Sequence, residues 1–390
     1  MFSTIKEITF KISSYCNLDC VYCFQTGESK ARDSRFALYD ELAEFMAGLP
    51  LAERVEVKLT GGEASLFPDD ICMAYKKLKK VEKYADTRLH FTTITNGSNL
   101  EVLLALMKEG ILDPWGCKVS WDGLYSASKS RRPKDKAFDD AFFNDKIRLL
   151  GASGLGDEVL VRMAVTPDTV DSLCASLVFC LDHGCTKWEY YFLTDCEDYR
   201  TPEFAAAFKA QIRLIAAEYN RRPFNYYNWD TLAFTELVLP KDDKTRLRSI
   251  GCRHLGRSLY VAENGDVYPC GFFYPDSVYG FSQYKLGNIK DGFRREVVEK
   301  FIGEYLAQPM CDWQQCANLH CFECPALTKY RTGHMNHKLC QACDLRDIER
   351  QVFHATQRLD IDPAAVWRTF DYAQEWSVQP AAAGRLWRDK

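Results

Sequence analysis

The sequence predicts an α/β fold, a partial barrel of six strand–helix units followed by a small cysteine-rich part. Three observations carry that prediction. Strand-like and helix-like segments alternate six times within the first 200 residues. Each group of chemically unusual residues in that stretch falls just after a strand. The 17 cysteines are unevenly spread, with three between Cys16 and Cys23 and eight between Cys252 and Cys343.

The strands are expected at Ile8–Ser13, Val55–Thr60, Leu89–Thr95, Lys118–Trp121, Val159–Val165 and Trp188–Leu193. Each is short and rich in β-branched or aromatic residues. Between them, Ile71, Tyr75, Leu78 and Val81 recur at helical spacing. So do Val102, Leu103, Leu106 and Met107, up to a stop at Gly110. Six units make a parallel sheet that curls like a (βα)8 barrel but is two units short. The domains read as residues 1–200 for the barrel, 201–250 for a helical linker, 251–350 for the cysteine-rich part and 351–390 for a helical extension.

Composition narrows the function. Lys and Arg number 50 against 54 Asp and Glu, giving a net charge of -4 and no basic footprint for nucleic acid. The N-terminal residues lack a signal pattern, and no apolar run reaches the roughly 18 residues that span a membrane. A cytoplasmic protein is expected, and its clustered thiols then point to metal rather than to disulfides. The scattered Cys72, Cys117, Cys174, Cys180, Cys185 and Cys196 read as small core residues.

Cys16-x3-Cys20-x2-Cys23 supplies three thiolates where an iron–sulfur cube takes four, leaving one iron open to bind another molecule. A zinc site and three unrelated thiols are the alternatives. Gly61-Gly62-Glu63 and Asn96 follow the second and third strands, and Ser120-x-Asp122-Gly123 closes the fourth. Strand carboxyl ends are where barrel active sites are built.

Cys16-Asn-Leu-Asp-Cys20-Val-Tyr22-Cys23 resembles the signature of the radical S-adenosylmethionine (SAM) superfamily, including the aromatic residue before the third cysteine. The resemblance implies a 4Fe–4S cluster on Cys16, Cys20 and Cys23 that chelates SAM. It also implies reductive cleavage of SAM to a 5′-deoxyadenosyl radical, which takes a hydrogen atom from the substrate. It assigns Gly61, Gly62 and Glu63 to the SAM amino group, and Tyr22, Asn96, Ser120 and Asp122 to the same ligand. Arg132 and Arg162 become candidates for its carboxylate, with surface ion pairs as their alternative. Ala64 departs from the Pro that often follows the GGE triplet.

Cys252-x12-Gly265-x4-Cys270, with a hairpin turn at Asn264-Gly265, resembles the opening of the SPASM domain that follows many such barrels. That likeness implies auxiliary 4Fe–4S clusters on Cys252, Cys270, Cys311, Cys316, Cys321, Cys324, Cys340 and Cys343. The downstream spacing departs from the family pattern, so the sharing of ligands stays open. Cys321-x2-Cys324-x15-Cys340-x2-Cys343 also has zinc-ribbon spacing.

Barrel and SPASM domain together imply a peptide-modifying maturase that forms a thioether or carbon–carbon cross-link. Its expected partners are a precursor peptide or protein substrate and a flavodoxin or ferredoxin as electron donor. With the first strand expected by Ile8, the peptide would dock on the barrel, on the cysteine-rich part or through a separate recognition protein. Sulfatase-maturating and small-molecule dehydrogenase activities are the alternatives, and a non-enzymatic iron–sulfur or zinc module is the remotest one. Sulfatase maturation is disfavoured by Gly271, which follows Cys270 where those enzymes have an acid–base Asp. Asp195 or Asp198 would have to substitute.

Overall fold

The computed structural model describes residues 4–23, 25, 36–131, 133–193, 199, 201–222, 224–226, 257–277, 279–307, 324–333, 335, 345, 348–349, 351–352 and 355. The chain alternates β1 (Ile5–Ser13), α1 (Phe36–Ala47), β2 (Leu51–Gly61), α2 (Pro68–Leu78), β3 (Arg88–Thr95), α3 (Leu100–Lys108) and β4 (Lys118–Ser120). It continues with α4 (Asp140–Ala152), β5 (Leu160–Val165), α5 (Leu173–Asp182), β6 (Lys187–Phe192) and α6 (Pro202–Arg221). All six expected strands are present. β1 and β2 begin several residues earlier than their apolar patterns indicate, and Trp121 lies just beyond β4.

Strands β1 to β6 pair in parallel and in sequence order. Helices cover one face of the sheet. Phe10 of β1 meets Tyr39 of α1 edge-on at 5.5 Å, and Ile8 and Ile12 are buried beside it. The other face of β1 carries Glu7, Thr9 and Lys11, as the period of two requires. Helix starts follow local chemistry. Asp139 accepts the Phe142 N–H and Thr201 accepts the Phe204 N–H, each satisfying a donor that the helix leaves open.

Two further strands extend the parallel sheet. β7 (Asn225–Tyr226) pairs with β6, while β8 (Ser258–Val261) pairs with β1 on its other side. β8 then folds back on β9 (Asp266–Tyr268) across a turn in which the Gly265 N–H donates to Ala262 O. Gly265 takes φ +83, a left-handed value that favours glycine. β10 (Gly287–Asn288) and β11 (Gly292–Phe293) complete an eleven-stranded sheet whose edges are β7 and β11. The sheet thus runs without a break from the first 200 residues into the cysteine hairpin. Helices α7 (Arg295–Ala307) and α8 (Pro325–Thr332) follow. Among the described residues no helix is long and apolar enough to cross a membrane.

Candidate active site

The loop after β1 carries the three clustered cysteines, and three neighbouring segments hold it. On the β2 side, Gly62 N–H donates to Ser13 O and Glu63 N–H to Tyr15 O, both at 2.8 Å. A Cβ on Gly62 would sit 2.2 Å from Tyr15 O, so this glycine serves the approach of the cysteine loop's own backbone. On the β3 side, Asn96 Nδ2 donates to Asn17 Oδ1 at 2.9 Å and reaches Cys16 Sγ at 3.7 Å. After β4, the residues following Asp122 wrap the loop's outer side. There Val21 N–H donates to Ser130 O, and Lys134 Nζ to Cys16 O, each at 3.0 Å.

Two buried carboxylates tie strand ends together around this loop. Glu63 Oε1 accepts from Ser65 N–H and from Thr95 Oγ1, and Oε2 accepts from Asn96 N–H at 2.6 Å. A carboxylate offers about four lone pairs, so one on Oε2 remains for an ammonium. Asp122 Oδ2 accepts from the Tyr22 hydroxyl and from Ser130 Oγ, while Oδ1 accepts the Ala164 N–H at 3.0 Å. Tyr22, Asp122 and β5 are thereby one unit.

Burial pushes the Cys16 thiol up and the Cys20 thiol to about 11. Metal ligation must therefore displace protons from both. Cys16 and Cys20 are half-buried and Cys23 is exposed.

Residues that the spacing did not single out also face this group. Arg131, 1% exposed at the end of the π-helical turn Ala127–Arg131, donates from Nη1 to Ser120 O at 2.6 Å and follows Ser130, whose carbonyl holds the cysteine loop at Val21, so that its charge favours the Cys20 thiolate. Its neighbour Arg132, the expected candidate, lies outside the described residues. A signal was present, since Ser126 and Ser130 recur one helical turn apart after Asp122 and place Arg131 beside them. Lys11, also 1% exposed, holds its ammonium 4.3 Å from the centre of the Tyr274 ring. Burial lowers its pKa, while Glu263, Asp276 and Cys23 oppose that shift. A lysine between Phe10 and Ile12 in an apolar strand was the clue to an inward-facing charge.

Arg162 has partners on the sheet face beside this group. Its Nε lies 2.8 Å from Glu189 Oε1, and its guanidinium covers the Tyr191 ring at 4.2 Å. Glu189 Oε1 also takes Lys118 Nζ at 3.4 Å, so the ion pair is shared across the strand faces. Of the auxiliary cysteines, Cys270 and Cys324 are half-buried. Cys252, Cys311, Cys316, Cys321, Cys340 and Cys343 lie outside the described residues, as do Asp195, Asp198 and Cys196. Of the other scattered cysteines, Cys117, Cys180 and Cys185 are buried, and Cys72 and Cys174 are half-buried.

Residues 10–119, from mid-β1 to β4, match the radical SAM superfamily. This stretch is a radical SAM domain. SAM and an iron–sulfur cluster are accordingly its cofactors, and the chain is an enzyme that uses SAM. The donor set suits the cluster, with three thiols in eight residues and both an N–H (from Leu18) and an amide (from Asn96) directed at Cys16 Sγ. Among the described residues, no three His, Cys, Asp or Glu side chains close tightly around a single ion.

The fold recurs in solved structures. A histidine-tagged anSMEcpe with bound AdoMet, a sulfatase-maturating enzyme, superposes with a TM-score of 0.71 at 16% identity, covering 94% of this chain and 98% of that one. Native anSMEcpe with AdoMet and the Cp18Cys peptide gives 0.67 at 16% identity, over 90% and 97%. Streptococcus suis SuiB bound to its precursor peptide SuiA gives 0.56 at 16%, over 85% and 72%. No curated protein matches the chain in sequence.

Proposed function

We propose that this radical SAM enzyme modifies a peptide, installing an oxidative change such as a thioether or carbon–carbon cross-link. The observation that carries this reading is the pairing of β8 with β1. It sets the segment after Cys270 against the inner face of the radical SAM strands, where Tyr274 roofs Lys11 and Ser277 bridges to Gln25 beyond Cys23. Two cysteine-bearing elements are thereby brought side by side. Peptide-bound relatives of the same fold support a peptide as the substrate.

When bound, the cofactors supply the 5′-deoxyadenosyl radical that removes a hydrogen atom, and an acceptor for a second electron. The chain's part is to hold and orient them. Cys16, Cys20 and Cys23 would ligate the SAM-binding cluster, and Glu63 Oε2 would take the SAM ammonium. Asn96, Ser120 and Asp122 would border the same ligand, with Tyr22 fixing Asp122. Cys270 and the other C-terminal cysteines would hold the auxiliary clusters. Flavodoxin or ferredoxin would be the donor. Gly271 supports cross-linking over sulfatase maturation, since the nearest downstream carboxylate, Asp276, is engaged by the Tyr274 hydroxyl.

The test is anaerobic co-expression with each short peptide encoded beside this gene, read by high-resolution mass spectrometry. Loss of two hydrogens that depends on Cys16 is the expected result. Unchanged peptides alongside active SAM cleavage would overturn the cross-linking reading and favour a sulfatase or a small molecule. Cys270→Ala should retain part of the SAM cleavage and lose product.

A further inference from the structure

Arg131 is a buried cation placed on the cysteine loop itself. It is 1% exposed, its guanidinium covers the Phe143 ring at 4.8 Å, and its Nη1 is anchored on Ser120 O. Its backbone runs along the cysteine loop, where Ser130 O accepts the Val21 N–H and Pro133 bridges to Leu18, its charge favours the Cys20 thiolate, and its Nε is buried without an acceptor among the described residues. Asp122 acts on Cys20 in the opposite sense. One fixed positive and one fixed negative group, both 1% exposed, therefore border the loop segment around Cys20.

Reduction of a cluster on these thiolates adds one electron and no proton, so the group becomes one unit more negative. Water screens little at a buried site, and a guanidinium stays charged at every accessible pH. We propose that Arg131 holds up the reduction potential of the cluster on Cys16, Cys20 and Cys23, and that Asp122 opposes it. The pair thereby sets how readily a low-potential one-electron donor reduces the cluster. This rests on the cluster assignment made above. Burial, hydrogen bonds to sulfur and local charge are known levers on such potentials.

The experiment is a redox titration of the anaerobically reconstituted full chain without SAM, poised with dithionite and read by electron paramagnetic resonance. The signal followed is the one that Cys16→Ala removes. Arg131→Gln should lower the midpoint, cutting the reduced-to-oxidised ratio at least tenfold at the potential where the wild type is half reduced, a shift of about 59 mV. Arg131→Lys should stay near the wild type. Asp122→Asn should move the midpoint the other way, an outcome that loop damage alone does not produce. An unchanged midpoint in Arg131→Gln, or shifts of one sign in both neutral variants, would overturn the proposal. If Arg131→Gln fails to load a cluster, Asp122→Asn decides, a raised midpoint supporting the proposal and an unchanged or lowered one overturning it. A wild-type chain that takes up no iron would overturn the cluster assignment itself.

Discussion

Tyr22 donates its hydroxyl hydrogen to Asp122 Oδ2, joining the residue before the third cysteine to the end of the fourth strand. The acceptor is 1% exposed and already bound to Ser130 and to the Ala164 N–H. An aromatic ring at position 22 therefore does more than pack, because its oxygen fixes the height of the cysteine loop over β4 and β5.

Tyr22→Phe removes that donor and leaves the rest of the Asp122 network in place. A buried carboxylate that loses one donor costs about 1–3 kcal/mol. Urea unfolding should show a lowered midpoint with an unchanged slope, and SAM cleavage should slow as the loop loosens. Full activity with unchanged stability would show that the ring alone matters.

Cys16→Ala, Cys20→Ala and Cys23→Ala should each reduce 5′-deoxyadenosine formation to background, measured by chromatography after reduction with dithionite. Cys180→Ala is the matched control, since that cysteine is fully buried in the core. Its substitution should lower stability and leave deoxyadenosine formation per folded molecule unchanged.

Gly62→Ala places a methyl group 2.2 Å from Tyr15 O, where both partners are backbone. The cysteine loop must move, and SAM cleavage should fall at least tenfold with a stability loss above about 2 kcal/mol. Gly303→Ala meets nothing within 4 Å in α7 and should stabilise by about 0.4–1 kcal/mol. Thermal unfolding of the two variants checks both directions.

Lys187 is 5% exposed at the start of β6, where it donates to Trp115 O and Glu158 O. Burial first, and then Lys118, lower its pKa from 10.5 to about 8. At about 1.4 kcal/mol for each tenfold change in proton affinity, the burden of its charge is roughly 3 kcal/mol. Below about pH 8 both folded and unfolded states hold the proton and the burden is full. Between about 8 and 10.5 the unfolded chain binds more protons, so stability rises with pH there. Lys187→Met removes this slope. Urea unfolding from pH 7.5 to 10.5 should show the variant's relative stability falling by that amount, whatever the constant effect of its lost hydrogen bonds.

Much of this was legible without coordinates. The period-two and period-3.6 patterns placed all six barrel strands, because apolar spacing is local and each strand buries one full face. Cys16, Cys20 and Cys23 were legible because their spacing lies within one loop. The GGE triplet was legible too, although its Gly62 meets Tyr15 rather than open space. Arg131 and Lys11 were missed because a single charged residue carries no periodic signal, and burial becomes visible only when distant elements close over it.

The sequence by itself determined the alternation of strands and helices, the three-thiol loop and the hairpin around Gly265, since each depends on residues within a few positions of one another. Tertiary structure alone decided that β8 pairs with β1 across roughly 250 residues, bringing Tyr274 over Lys11. It alone decided that Asp122 faces Tyr22 and that Arg131 is buried beside the cysteine loop. Such contacts form when the parallel sheet brings separate strand ends to one rim. Their partners are set by the register and direction of whole strands, which short sequence patterns do not encode.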